Sequence, residues 1–124
     1  EGLVEWWGFQ KNMPEILTRA HIICMPSYRE GLPRGLIEAA ACGLPIVTTD
    51  VPGCREVVRD GISGLLVPVR DGTATTAAIG KLLSDPDLRR SMGQAARQLA
   101  LDEFTVEVFV ADSLAAYHTL RNPI

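Results

Sequence analysis

The sequence predicts an α/β fold, a parallel sheet flanked by helices. Three apolar runs are short enough to be buried strands, at residues 22–25, 44–49 and 65–67. Each is followed by a turn or loop that contains glycine and proline, and then by a helical segment. This alternation is typical of βαβ units and a parallel sheet. In an open sheet of this kind, ligands bind outside the carboxyl ends of the strands.

The composition excludes several classes of function. At 124 residues, the chain is long enough for one domain with a single core. Its 47% hydrophobic and 22% charged residues are typical of a soluble globular protein. A net charge of -3, with no run of lysine or arginine, argues against a nucleic-acid-binding surface. No apolar stretch reaches the roughly 18 residues of a membrane span, and the first residues do not resemble a secretory signal.

The cysteines do not predict a disulfide framework or a metal site. Cys24, Cys42 and Cys54 are odd in number, well separated, and form no Cys-x-x-Cys pair. Cys24 and Cys42 lie in apolar runs, so we expect both in the core. A reducing, cytoplasmic setting fits these residues best.

The first quarter of the chain predicts two more elements. Residues 3–8 predict a short strand, and residues 12–20 predict a helix with Asn12 as its N-cap. His21 follows the helix, and a lone histidine at a helix–strand junction is more often structural than catalytic.

The most informative stretch joins the strand at 22–25 to the next helix. Gly31 and Gly35 allow a close backbone approach, and Pro33 suits the first position of a helix. A helix N-terminus carries about half a positive charge, so it favours an anion such as diphosphate.

Two carboxylates accompany this turn. Glu30 lies in the turn and Glu38 in the second turn of the helix, where both can accept hydrogen bonds from hydroxyl groups. Apolar residues surround Glu38, and an unpaired carboxylate there is costly. The alternative is that Glu38 lies on a solvent-facing strip and Glu30 is an ordinary loop charge.

The stretch resembles the signature of retaining glycosyltransferase family 4. The matching elements are Pro26-Ser27, then Glu30-Gly31, and then Glu38-Ala39, with seven residues between the two glutamates. The resemblance extends over nearly the whole chain. It implies a GT-B fold, in which a Rossmann-like C-terminal domain holds a nucleotide-sugar.

The resemblance also implies roles for individual residues. Glu30 would be the catalytic candidate and bind hydroxyls of the donor sugar, and Glu38 would bind the ribose hydroxyls. The backbone around this turn would face the sugar and the diphosphate, at Gly31, Leu32, Pro33 and Arg34.

Three further positions are implied near the pocket. Phe9 and Gln10 would approach the nucleotide base; alternatively, Phe9 packs in the core and Gln10 lies on the surface. Gly53 would form part of the pocket wall. Asp50 and Glu56, close to it, are expected to cap or pair locally.

Residues 73–83 and 87–101 predict helices. Arg89, Arg90 and Arg97 of the second helix are interpreted as a solvated face and not as a phosphate clamp.

Residues 106–120 predict the last helix, with Thr105 as its N-cap. Phe109, Leu114 and Tyr117 form a stripe at helical spacing, which we expect in the core.

By resemblance, the parent enzyme transfers a sugar from a UDP- or GDP-sugar to an acceptor hydroxyl with retention of configuration. It would be a hexosyl- or N-acetylhexosaminyl-transferase that needs no metal and no cofactor, since the nucleotide-sugar is a co-substrate. The local sequence around Glu30-Gly31 and around Gly53 is similar to that of bacterial enzymes of lipopolysaccharide and surface-polysaccharide synthesis. This similarity favours a saccharide or lipid-linked acceptor and a parent at the inner face of the membrane.

Residues 1–124 are expected to be part of the C-terminal donor domain, without the N-terminal acceptor domain and without the family's Arg and Lys pair. Transition-state charge stabilisation is usually the largest catalytic term, so the isolated chain is expected to be inactive. We also expect a homodimer, across an exposed edge strand at 4–7 or across the missing interdomain face. Two alternatives remain, a non-catalytic nucleotide-sugar-binding module and a GT-B sugar epimerase.

Overall fold

A computed structural model describes residues 2–121 and confirms the α/β prediction. In chain order, the elements are α1 (Met13–Leu17), β1 (Ile23–Met25), α2 (Arg34–Ala41), β2 (Ile46–Thr49), α3 (Pro52–Val57), β3 (Gly64–Val67), α4 (Gly72–Leu83), α5 (Pro86–Glu103) and α6 (Val106–Arg121).

The sheet is parallel, with strand order β1-β2-β3. All four residues of the central strand β2 are buried. Ile46 packs with residues of α2 and α3, and Val47 packs with Ala78 and Leu82 of α4. Successive strand residues point to opposite faces, so helices cover the sheet on both sides. Because the strands are parallel, all three carboxyl ends lie at the same end of the sheet.

The prediction of a strand at residues 3–8 is wrong. This segment is irregular, and Leu3, Val4 and Trp6 are all about nine-tenths exposed. A strand needs a hydrogen-bonding partner, and within residues 2–121 these residues find none. The edge of the described sheet next to the N-terminal segment is β1, so the predicted edge at 4–7 does not exist.

The core prediction for the last helix is also wrong. Thr105 does cap α6, since its Oγ1 accepts from the amide of Val108 at 3.2 Å. However, no residue of α6 is buried, and Phe109 and Tyr117 are 73% and 64% exposed. The apolar stripe exists, but among residues 2–121 nothing packs over it.

The cysteines differ from the prediction as well. Cys24 and Cys42 are exposed, and Cys54 is buried. Cys24 lies on the face of β1 that α4 leaves uncovered, because α4 packs over β2 and β3. Desolvation still raises the pKa of the Cys24 thiol above its ordinary value. Cys42 is the C-cap of α2.

Two of the three arginines predicted to form a solvated face instead bind the ends of helices. Arg89 Nη1 donates to the carbonyl oxygens of Leu82 and Leu83 at the end of α4, at 2.7 and 2.9 Å. Arg97 Nη1 donates to the carbonyl oxygen of Ala41, the last residue of α2.

Candidate functional site

The junction between β1 and α2 presents free backbone amides. Pro33, at the N-cap position of α2, is buried and provides no side-chain cap. Within residues 2–121, the amides of Gly31, Leu32, Arg34 and Gly35 donate to no protein acceptor. Unpaired amides at the positive end of a helix form a favourable environment for an anion. The structure thus places Pro33 one residue before the helix, and brings the predicted diphosphate-facing backbone together.

Glu30 lies beside these amides and is held in place. Its Oε1 accepts a hydrogen bond from Ser27 Oγ at 2.9 Å, and the residue is half-buried. The other carboxylate oxygen, Oε2, has no protein donor in the described part of the chain. It therefore remains available to accept a hydrogen bond from a ligand hydroxyl.

Glu38 lies in the second turn of α2, on the same side of the helix as Arg34. Arg34 Nε lies 3.3 Å from Glu38 Oε1, and the two side chains are 91% and 35% exposed. Such exposed ion pairs contribute little free energy, about 0.3–0.5 kcal/mol at this helical spacing. A ligand hydroxyl can compete for the Glu38 carboxylate.

Gly53 lies beneath the turn. It is buried in α3, and a Cβ atom built on it would overlap the carbonyl oxygens of Glu30 and Gly31 and come within 2.8 Å of the carbonyl carbon of Gly31. Only glycine permits this approach without displacing the turn. Asp50, close by, pairs locally as expected, with its Oδ1 at 3.2 Å from Arg55 Nε.

Phe9 and Gln10 lie in the irregular N-terminal segment. Phe9 is 88% exposed, so it is not a core residue. Gln10 Nε2 donates to the carbonyl oxygen of Trp7 at 2.7 Å. No described hydrogen bond links Phe9 or Gln10 to the β1–α2 turn.

A cleft that the sequence did not predict lies at the carboxyl ends of all three strands. It has a volume of about 590 Å³ and is lined by Pro26, Tyr28, Thr49, Pro68, Arg70, Asp71, Gly72, Thr75 and Thr76. Arg70 has a φ of 57°, and its guanidinium lies 5.1 Å from the centroid of the Tyr28 ring. Neither Glu30 nor Glu38 lines this cleft. The sequence indicated this cleft only through the position of two of its residues, because Pro26 and Pro68 directly follow predicted strands.

Among residues 2–121, no three His, Cys, Asp or Glu side chains are grouped so that they can hold a metal ion. In the same part of the chain, no helix combines the length and the apolar character needed to cross a membrane.

Comparison with protein families gives a match over most of the chain. Residues 1–99 match the family described as glycosyl transferases group 1. The chain is 34% identical over 118 residues to the N-acetyl-alpha-D-glucosaminyl L-malate synthase of Bacillus anthracis, an alignment that covers 95% of this chain and 31% of that protein.

A second relative comes from Campylobacter jejuni, the N,N'-diacetylbacillosaminyl-diphospho-undecaprenol alpha-1,3-N-acetylgalactosaminyltransferase. It is 35% identical over 100 residues, which cover 81% of this chain and 27% of that protein. The chain thus spans only 27% to 31% of the length of these two relatives.

Among solved structures, the chain is similar to Anabaena HepE in complex with UDP and glucose. The TM-score is 0.86 at 23% identity, over 94% of this chain and 33% of that one. This likeness confirms the fold, a parallel sheet flanked by helices as in GT-B glycosyltransferases.

Proposed function

We propose, since this chain belongs to the glycosyl transferases group 1 family, that it forms the donor-binding part of a retaining glycosyltransferase. The donor is a UDP- or GDP-sugar, and the acceptor is a hydroxyl group. Residues 1–124 then form part of a C-terminal donor domain, and an N-terminal domain of the parent binds the acceptor.

One observation carries this proposal. Along the chain, the four amides of the β1–α2 junction that have no protein acceptor within residues 2–121 stand between two carboxylates, Glu30 and Glu38. A nucleoside diphosphate sugar presents the complementary groups, a dianionic diphosphate between two sets of sugar hydroxyls. Helix N-termini bind phosphate through free amides and the helix dipole together.

The roles follow from this order of groups. The diphosphate lies on the amides of Gly31, Leu32 and Arg34, and Glu30 accepts hydrogen bonds from hydroxyls of the transferred sugar. Glu38 accepts from the ribose hydroxyls in competition with Arg34. Phe9, whose ring is exposed, and Gln10 then approach the base.

In the transfer step, the bond between the anomeric carbon and the diphosphate oxygen breaks, and a bond from that carbon to the acceptor oxygen forms. The acceptor proton leaves with the diphosphate. The proposal involves no cofactor and no metal ion. Positive charge that stabilises the leaving diphosphate comes from the parent, so this chain alone does not catalyse transfer.

The name of one relative supports a lipid-linked saccharide as the acceptor. The relative from Campylobacter jejuni acts, by its name, on a diphospho-undecaprenol-linked saccharide. We extend this to a saccharide or lipid-linked acceptor in bacterial lipopolysaccharide or surface-polysaccharide synthesis, with the parent at the cytoplasmic face of the membrane.

Calorimetric titration tests the donor site directly. The full chain is titrated with UDP, GDP and UDP-N-acetylglucosamine, and the titrations are repeated on Glu38→Ala. We expect binding of one nucleotide in the micromolar to low-millimolar range, at least tenfold weaker in Glu38→Ala.

The matched control is Glu107→Ala, which removes an exposed carboxylate from the first turn of α6. It should bind as the wild-type chain does. Equal weakening in both variants, or no binding of any nucleotide to the wild-type chain, would contradict the proposed donor site.

A further inference from the structure

A series of side-chain hydrogen bonds leads from the sheet to the Glu30 carboxylate. Thr48 Oγ1 donates to the carbonyl oxygen of Met25 at 2.8 Å, and Thr49 Oγ1 donates to the carbonyl oxygen of Ser27. Ser27 Oγ in turn donates to Glu30 Oε1 at 2.9 Å. Thr48 and Thr49 are fully buried in the central strand β2, so they are fixed points for this series.

These contacts begin where the sheet ends. The pairing of β1 with β2 stops at Met25, opposite Thr48. Beyond this point the chain leaves the sheet, and the hydroxyl of Thr49 holds the Ser27 carbonyl in place of a ladder hydrogen bond. Gly53 supports the same turn from below, against the carbonyls of Glu30 and Gly31. The turn is thus held at Met25, at Ser27 and at Glu30.

The Ser27 hydroxyl has a limited capacity to donate hydrogen bonds. A serine hydroxyl has one proton to donate, and Ser27 gives it to Glu30. Ser27 is therefore already committed as a donor inside the protein. Glu30 Oε1 is occupied, and Oε2 is left for an external donor.

We propose that Ser27, held by Thr49, is a positioning residue that fixes the rotamer of Glu30 and so directs Oε2 toward the sugar of the bound donor. This inference rests on the proposed function. A glutamate side chain loses considerable rotamer freedom when it is fixed, and the Ser27 hydrogen bond pays that cost before the donor binds. Ser27 should then affect binding of the sugar moiety and not of the nucleotide.

The test compares two ligands on five forms of the full chain and on one control variant. UDP and UDP-N-acetylglucosamine, or GDP and GDP-mannose if the wild-type chain prefers guanine, are titrated into wild type, Ser27→Ala, Ser27→Thr, Glu30→Ala and the double variant Ser27→Ala/Glu30→Ala. Ser84→Ala serves as control, because the Ser84 hydroxyl also donates a hydrogen bond, to the carbonyl oxygen of Lys81, but lies at the end of α4.

We expect Ser27→Ala to weaken the nucleotide-sugar by about three- to tenfold, the usual range for one hydrogen bond, with nucleotide binding unchanged. Ser27→Thr keeps the hydroxyl and should restore binding. The double variant should bind no more weakly than Glu30→Ala, since Ser27 acts through Glu30. Equal loss for nucleotide and nucleotide-sugar, or additive losses in the double variant, would overturn the proposal.

A second measurement needs no ligand. Carbon-13 relaxation of the Glu30 side-chain methylenes in the free chain should give lower order parameters in Ser27→Ala, and wild-type order parameters in Ser27→Thr and Ser84→Ala. Unchanged order parameters in Ser27→Ala overturn the positioning role whatever the chain binds. Failure of every donor to bind the wild-type chain overturns the proposed function and the sugar-directed part of this inference, while the relaxation result still decides the link between Ser27 and Glu30.

Discussion

Gly93 of α5 packs directly against the carbonyl group of Gly43, the residue that follows the C-cap of α2. A Cβ atom built on Gly93 would overlap the Gly43 oxygen and lie 3.1 Å from its carbonyl carbon. Gly43 has a φ of 74°, and the amides of Gly43 and Leu44 donate to Ala40 and Ala39 in a Schellman arrangement. This contact fixes the end of the helix whose beginning forms the candidate donor site.

Replacing Gly93 with alanine should therefore destabilise the chain. The new methyl group meets backbone atoms, which cannot move aside as a flexible side chain can, so we expect a loss near the upper end of overpacking costs, about 3 kcal/mol. Urea unfolding followed by circular dichroism measures this loss. The matched control is Gly80→Ala in α4, where a Cβ atom meets nothing within 4 Å. It should stabilise the chain by up to about 1 kcal/mol through helix propensity. Destabilisation of both variants alike would contradict the packing account.

Arg97→Ala should destabilise the chain by about 1 kcal/mol. The guanidinium of Arg97 donates to the last carbonyl of α2, where the helix dipole favours positive charge. Arg90 on the same helix provides the control, because within residues 2–121 it pairs only with the 92% exposed Asp87. Arg90→Ala should change the free energy of unfolding by less than about 0.5 kcal/mol. Thermal or urea unfolding measures both variants. Equal losses of unfolding free energy would show that the contact of Arg97 with the C-terminal end of α2 does not stabilise the chain more than the Arg90 pair does.

Thiol labelling should separate the three cysteines. Cys24 and Cys42 are exposed and should react with iodoacetamide in the native chain, whereas the buried Cys54 should react only in urea. The pKa of the Cys24 thiol is raised by desolvation, so its reactive thiolate is scarcer at neutral pH than in an ordinary thiol. Its labelling rate, followed by mass spectrometry, should keep rising with pH beyond the pH at which a free cysteine reaches half of its maximal rate. If the labelling rate of Cys24 reached half of its maximum at or below that pH, the desolvation of Cys24 would be contradicted.

The sheet and the β1–α2 turn could be predicted from the sequence because both depend on local features. Short apolar runs, glycine- and proline-rich turns and capping residues such as Asn12 and Thr105 act over a few positions. Residues 3–8 and α6 show the limit of this reasoning. An apolar pattern shows which side chains gain from burial, but not whether a partner surface for them exists within the same chain.

The contacts that organise the candidate site could not be predicted for a different reason. The hydrogen bond from Thr49 to Ser27 spans 22 residues, and the approach of Gly53 to the turn at Glu30 and Gly31 also depends on the packing of separate elements. No spacing in the sequence indicates either contact. Gly93 gave a weak signal, since a glycine inside a helical pattern often marks a close approach.

The exposed stripe of α6, and not the predicted edge at 4–7, should make this chain self-associate and so form the expected homodimer. Phe109, Leu114 and Tyr117 are each more than half exposed on one side of the helix. Exposed apolar patches of this kind mark interaction surfaces. Sedimentation should therefore show a reversible dimer of the wild-type chain at high concentration, and Phe109→Ser/Tyr117→Ser should shift it toward monomer without altering the free energy of unfolding, because neither side chain is buried. Ala111→Ser, an exposed control on the same helix, should leave the dimer intact. A wild-type chain that stays strictly monomeric at every concentration would refute the homodimer.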